Sequence, residues 1–190
     1  MGYTEQGPFN AEQVKQAADT AESEKTQRAE ELSDFFGYVS VDASNFAQGM
    51  REIGVAPTEI AHQLTTGHKA GLWGLRRTTI DNPHAVWIIN PDAYMEGRTN
   101  EYANSSEGSS LVSIYYHSLA VSDEGKLCNV TQSQSRDGKF YLSSYITEPS
   151  EELVKLCGID RNSSLDEAYA WWKNGLASKA AVCVKTATQF

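Results

Sequence analysis

Cysteine is scarce in this sequence. Its 190 residues include three, Cys128, Cys157 and Cys183. An odd number at wide spacing is not a disulfide framework, and no C-x-x-C pair exists for zinc or redox chemistry. The three read as small buried hydrophobes kept reduced. Long apolar runs are missing too. None exceeds the five residues of Ala85–Ile89, far short of the roughly 20 that a spanning helix needs. Basic side chains are outnumbered, 16 Lys and Arg against 25 Asp and Glu, for a net charge of −9. A generic nucleic-acid binder carries the opposite excess. The N-terminal MGYTEQGPFN lacks a basic stretch followed by an apolar core, and Gln6 stands where a myristoylation signal needs Ser or Thr. These absences predict a soluble, acidic, cytoplasmic-type protein without membrane contact. A mature secreted chain that had lost its signal would read the same.

Enough apolar residues are present, 40% of the chain, to bury a core. Their order predicts an α+β fold: an N-terminal helical arm, short helices, a central antiparallel β-meander and C-terminal helices. Asn10 and Gln13 form an N-cap and N3 pair, with Phe9 and Val14 at the staple positions. The helix they open is expected to run to Phe36 and stop at Gly37. Its inward stripe, Val14, Ala18, Ala21, Leu32 and Phe36, is poor in apolar volume. Residues 1–37 therefore read as an arm and 38–190 as a single compact body. Two short helices are expected next, Asn45–Ile53 ending at Gly54 and a second from Pro57 to before Gly67.

Strands are predicted at His84–Ile89, Leu111–Val121, Lys126–Ser133 and Phe140–Thr147, with 97–110 a polar loop. Asn82-Pro83 and Asn90-Pro91 read as turns around the first, and Asp123-Glu124-Gly125 and Arg136-Asp137-Gly138 as tight turns between the others. Ser150 caps a helix to Cys157, stopped by Gly158. Ser164 and Glu167 form a capping box for a helix to Asn174 before Gly175. Ala180–Thr186 reads as a final strand.

Several segments are candidates for chemistry. Phe46–Thr66 resembles a helix-turn-helix, with Met50, Gly54, Val55 and Ile60 near the expected positions. It departs at Gln63, and PTEIAHQL, as a recognition helix, has Glu59 and no Lys or Arg. A helical hairpin packed on the sheet meets the same pattern. The Gly-rich 67–79 stretch brings Lys69, Arg76 and Arg77 together with no acid between Glu59 and Asp81. Freed backbone amides beside cations can hold an anion, but the spacing is not that of a phosphate-binding loop and also suits a hinge. His62, His68, His84 and His117 form no metal-binding spacing, so neither metal nor cofactor is expected. A Cys128–His117 nucleophile pair, with His84 nearby, is conceivable across the meander.

Aromatic residues suggest a surface. There are nine Tyr and four Trp, and a meander with one packed face turns some rings outward. Tyr115, Tyr141, Tyr145 and Trp171 are the candidate interface residues, since Tyr and Trp bury area yet keep a polar handle. A large aromatic core would use the same residues. Charge is also polarised: residues 1–36 carry eight acids against three bases, whereas after Glu167 only Lys173, Lys179 and Lys185 are charged. The expectation is a non-enzymatic assembly or interaction protein, self-associating or bound to another protein, with a viral or phage structural component as one form. A nucleic-acid-associated regulator using 46–66 and an enzyme with a fold-assembled His/Cys site are the alternatives.

Overall fold

The computed structural model describes residues 11–65, 78–99, 112–133, 140–158 and 164–187. It is an α+β fold. A long helix, α1 (Ala11–Glu52), leads into five strands: β1 (Thr58–Thr65), β2 (Thr78–Thr99), β3 (Val112–Ser122), β4 (Leu127–Ser133) and β5 (Phe140–Tyr145). Helices α2 (Glu151–Leu156) and α3 (Leu165–Ala187) close the chain. Among the described residues, no helix is long and apolar enough to cross a membrane.

The five strands form a closed barrel in the order β1-β2-β3-β4-β5. Each pairs antiparallel with the next. In a meander of an odd number of strands, the first and last run the same way, so the pair that closes the barrel must be parallel. That pair is β1/β5, with Ala61 opposite Tyr141 and His62 opposite Leu142. Among the described strands, closure pairs the two ends of the meander with each other, so neither β1 nor β5 is left as a free edge.

Alternation along the strands gives two apolar cores. Ile60, Val86, Ala120, Cys128, Val130 and Leu142 fill the barrel. Their sequence neighbours Trp87, Leu119, Val121 and Leu127 face the other way and pack under the helices. There they meet Phe35, Val39, Ala43, Ala47 and Met50 of α1, Leu153, Val154 and Leu156 of α2, and Ala168, Trp172 and Leu176 of α3. The helices cover β2 and β3. Tyr38 stacks obliquely on Tyr169 at 5.9 Å, and Lys173 Nζ lies 3.6 Å from Asp42 Oδ1. One turn onward on α1 thus meets one turn onward on α3, so the two helices run side by side in the same direction.

Several expected boundaries are corrected. Helix α1 does not stop at Gly37 but runs on to Glu52, joining the two helices predicted at 10–36 and 45–53. One mid-helix glycine costs only about 1 kcal/mol, and the buried stripe from Phe35 to Met50 passes across it uninterrupted. The predicted helix from Pro57 is instead strand β1. Its eight residues fit either period, and pairing with β2 and β5 decides. Helix α3 continues through Gly175 to Ala187 and absorbs the expected strand at 180–186. Gly175 serves packing: a Cβ there would come within 3.0 Å of Ile89 Cγ2.

The two Asn-Pro pairs are not turns, because β2 runs through both, and Gly97–Thr99 belong to it rather than to a loop. The β1/β2 register jumps across Asn82 and Pro83, and the β2/β3 register shifts on either side of Asn90, before and beyond Pro91. A proline cannot donate to a ladder but fits a bulge, and bulges let a 22-residue strand bend around a barrel. The turn at 123–125 is as expected. Gly125 there is required twice, by its φ of +84° and because a Cβ would lie 2.8 Å from Ser44 Cα of α1. The Ser150 cap and the Ser164/Glu167 capping box also form: Ser150 Oγ accepts from Leu153 N, Ser164 Oγ from Glu167 N, and Glu167 Oε2 from Ser164 N. The Asn10 cap and the turn at 136–138 lie outside the described residues.

Candidate functional surfaces

Three places gather polar chemistry or unpartnered surface. The first is the N-terminal half of α1. From Phe35 onward the helix is seated on the body, but residues 11–27 are exposed on every side. The boundary is chemical. Arg28 reaches across to α2 and grips Glu151 with two nitrogens, Nε to Oε1 at 2.9 Å and Nη2 to Oε2 at 3.3 Å. Such a fork-on-fork pair fixes direction as well as distance. Beyond it, Thr20 and Thr26 donate to the carbonyls of Gln16 and Glu22 within the helix itself. At 1.5 Å per residue the exposed stretch is about 25 Å long. Val14, 55% exposed, is its one large apolar side chain.

The second place is one end of the barrel. His84 Nδ1 and the Tyr145 hydroxyl lie 3.0 Å apart, with Lys126 Nζ 5.7 Å from the Tyr145 ring and 2.5 Å from Glu124 Oε2. Beneath them Cys128 faces Tyr145 across β4/β5 and donates its S–H to Lys126 O. Burial pushes the Cys128 thiol up to about 12. Burial also raises the Tyr145 phenol, and the nearby Glu124 carboxylate adds to it. A thiol held protonated at neutral pH is a poor nucleophile.

The third is a buried polar cluster outside the barrel wall, under α2. His117, 3% exposed, lies flat against Tyr94 at 4.4 Å and meets Asn129 at 3.2 Å. Asn129 Nδ2 donates to Glu152 Oε1 of α2 at 2.6 Å. His117 Nε2 is 3.3 Å from Glu96 Oε2, but the two are not aligned as a hydrogen bond. Asn90 Nδ2 adds a bond to Leu156 O at the end of α2. Such ties specify where a short helix sits on a sheet.

These positions correct the expected chemistry. Cys128 belongs to the barrel interior and His117 to the opposite face of the wall, so the proposed nucleophile pair does not exist. His84 joins Tyr145, not His117. The helix-turn-helix reading of 46–66 fails because its second element is strand β1. Lys69, Arg76 and Arg77 lie outside the described residues. Among the described residues, no group of three His, Cys, Asp or Glu is placed to hold a metal.

The four aromatic candidates do not gather into one patch. Tyr115 and Tyr141 are half-buried on β3 and β5, Tyr145 caps the barrel, and Trp171 lies on α3 against Gly158. Trp171 is 48% exposed and its neighbour Trp172 1%, as 100° of helical rotation requires. Sequence reading missed Arg28 and Glu151, which mark where α1 leaves the body. The interruption of the apolar stripe at Arg28 was the available signal. No family model, curated protein or solved structure matches the chain.

Proposed function

We propose that the protein is a non-enzymatic interaction protein whose contact element is the projecting half of α1. One observation carries this reading: an unbroken helix seats Phe35 to Met50 on the barrel, yet leaves residues 11–27 exposed on all sides. A stretch of that length has little helical stability of its own, and a partner surface would supply what the body does not. Its mixed charge, with Lys15 and Lys25 set among Glu12, Asp19, Glu22 and Glu24, suits a docking element selected by charge. A cytoplasmic setting is part of the reading, supported by three cysteines that remain free.

The test is a photo-reactive amino acid placed at Ala18 and, as a control, at exposed Ser143 of the body, in the cells that make the protein. Cross-links to a second polypeptide from position 18, and not from 143, are the expected result. Equal yields from both positions, or none from 18, would remove the projecting helix as the contact element.

A further inference from the structure

We infer that the partner of the projecting helix is a second copy of this chain, packed antiparallel along residues 11–27; this rests on the reading of α1 as the contact element. The face of α1 seated on its own body steps through Arg28, Leu32, Phe35 and Val39, at alternating spacings of four and three. Continued toward the N-terminus, the same steps fall on Lys25, Ala21, Ala18 and Val14. The seam that packs on the barrel thus runs on, unpartnered, past the end of the body. Small residues let two such seams approach closely, in the manner of a coiled coil.

Charge selects the direction. In this register Lys15 and Glu22 each follow a seam residue, so they flank the seam on one side. Two antiparallel copies centred between Ala18 and Ala21 bring Lys15 of each beside Glu22 of the other, giving two symmetric ion pairs. Neither residue has an ion pair among the described residues. The same alignment lays the Lys25 stem over Val14 of the second copy, with its ammonium free to reach water. A parallel pair would instead stack Lys25 on Lys25 and leave Lys15 and Glu22 unmatched. Length agrees as well. The exposed stretch has its midpoint at residue 19, so each N-terminal end arrives where the other copy's Arg28 begins its own body contact. The contact is a two-fold, closed one. It is small, which places it among weak, reversible associations.

Sedimentation equilibrium of the full chain at low salt, from micromolar to millimolar, tests this. The expected result is a reversible monomer–dimer equilibrium. Lys15→Glu should weaken it about tenfold, since it turns two attractions into two repulsions. Lys15→Glu/Glu22→Lys should restore it, because the pairs are re-formed with signs exchanged. All three chains should give the same helical circular dichroism. A wild-type chain monomeric throughout overturns self-pairing, while position-18 cross-links to a different protein would still uphold the contact element. A dimer insensitive to Lys15→Glu, or not restored by the double change, overturns the antiparallel register. A dimer that survives deletion of residues 11–27 overturns both.

Discussion

The two halves of α1 share one backbone and one helical period, yet only one half is held by the protein. Between Phe35 and Met50 the stripe carries Phe, Val, Ala, Ala and Met, all buried. Between Val14 and Lys25 the same stripe carries one Val, two Ala and one Lys, all exposed. The difference is side-chain volume on one face, not helix propensity. Alanine forms helix well but brings little apolar area to bury. A helix can therefore be continuous as secondary structure and discontinuous as tertiary structure.

Four substitutions press on this comparison. Phe35→Ala strikes the seated half and should cost about 3–5 kcal/mol in chemical denaturation, the usual range for emptying a buried Phe site; a loss below 1 kcal/mol would mean that the stripe does not hold the helix. Gly37→Ala should raise stability by about 1 kcal/mol, because the site is mid-helix and a Cβ there meets nothing within 4 Å. A destabilised variant would instead mark Gly37 as a required break in α1. Arg28→Ala removes the clasp on Glu151, whose partners are 30% and 39% exposed. Its cost should be about 0.5–1 kcal/mol and should shrink in high salt, with faster amide exchange over the turn preceding residue 32. Val14→Ala, in the free half, should leave stability of the dilute monomer within about 0.5 kcal/mol. A larger loss there would show that the projecting half touches the body after all.

Legibility in the sequence followed the same division between local and tertiary causes. The Ser150 cap, the Ser164/Glu167 capping box, the Asp-Glu-Gly turn and the β3, β4 and β5 strands were readable because side chains within a few residues set them. Gly37 and Gly175 misled because a glycine within a helix looks the same in sequence as one that ends it. What separates them is the apolar stripe running past the first and Ile89 pressed against the second. Likewise Asn82-Pro83 and Asn90-Pro91 carry turn chemistry but were spent on bulges within one strand. The charge layout and the weak apolar supply of residues 11–27 were visible from the start. The clasp that ends the projecting stretch was not, since Arg28 and Glu151 are 123 residues apart in sequence. Nor was it visible that Cys128 and His117 fall on opposite sides of a wall, because that depends on barrel closure.

The parallel β1/β5 seam carries a kinetic consequence. Every other strand pair joins neighbours in the chain, so hairpins can form early and independently. The closing pair joins Ala61 to Tyr141, and it can form only after the intervening meander has wrapped round. The loop-closure entropy of that long segment is met by few ladder bonds at the moment of docking. Barrel closure is therefore expected as a late event in folding. Until it occurs, two strand edges stand open, and it is in that interval rather than in the finished barrel that the chain is exposed to aggregation.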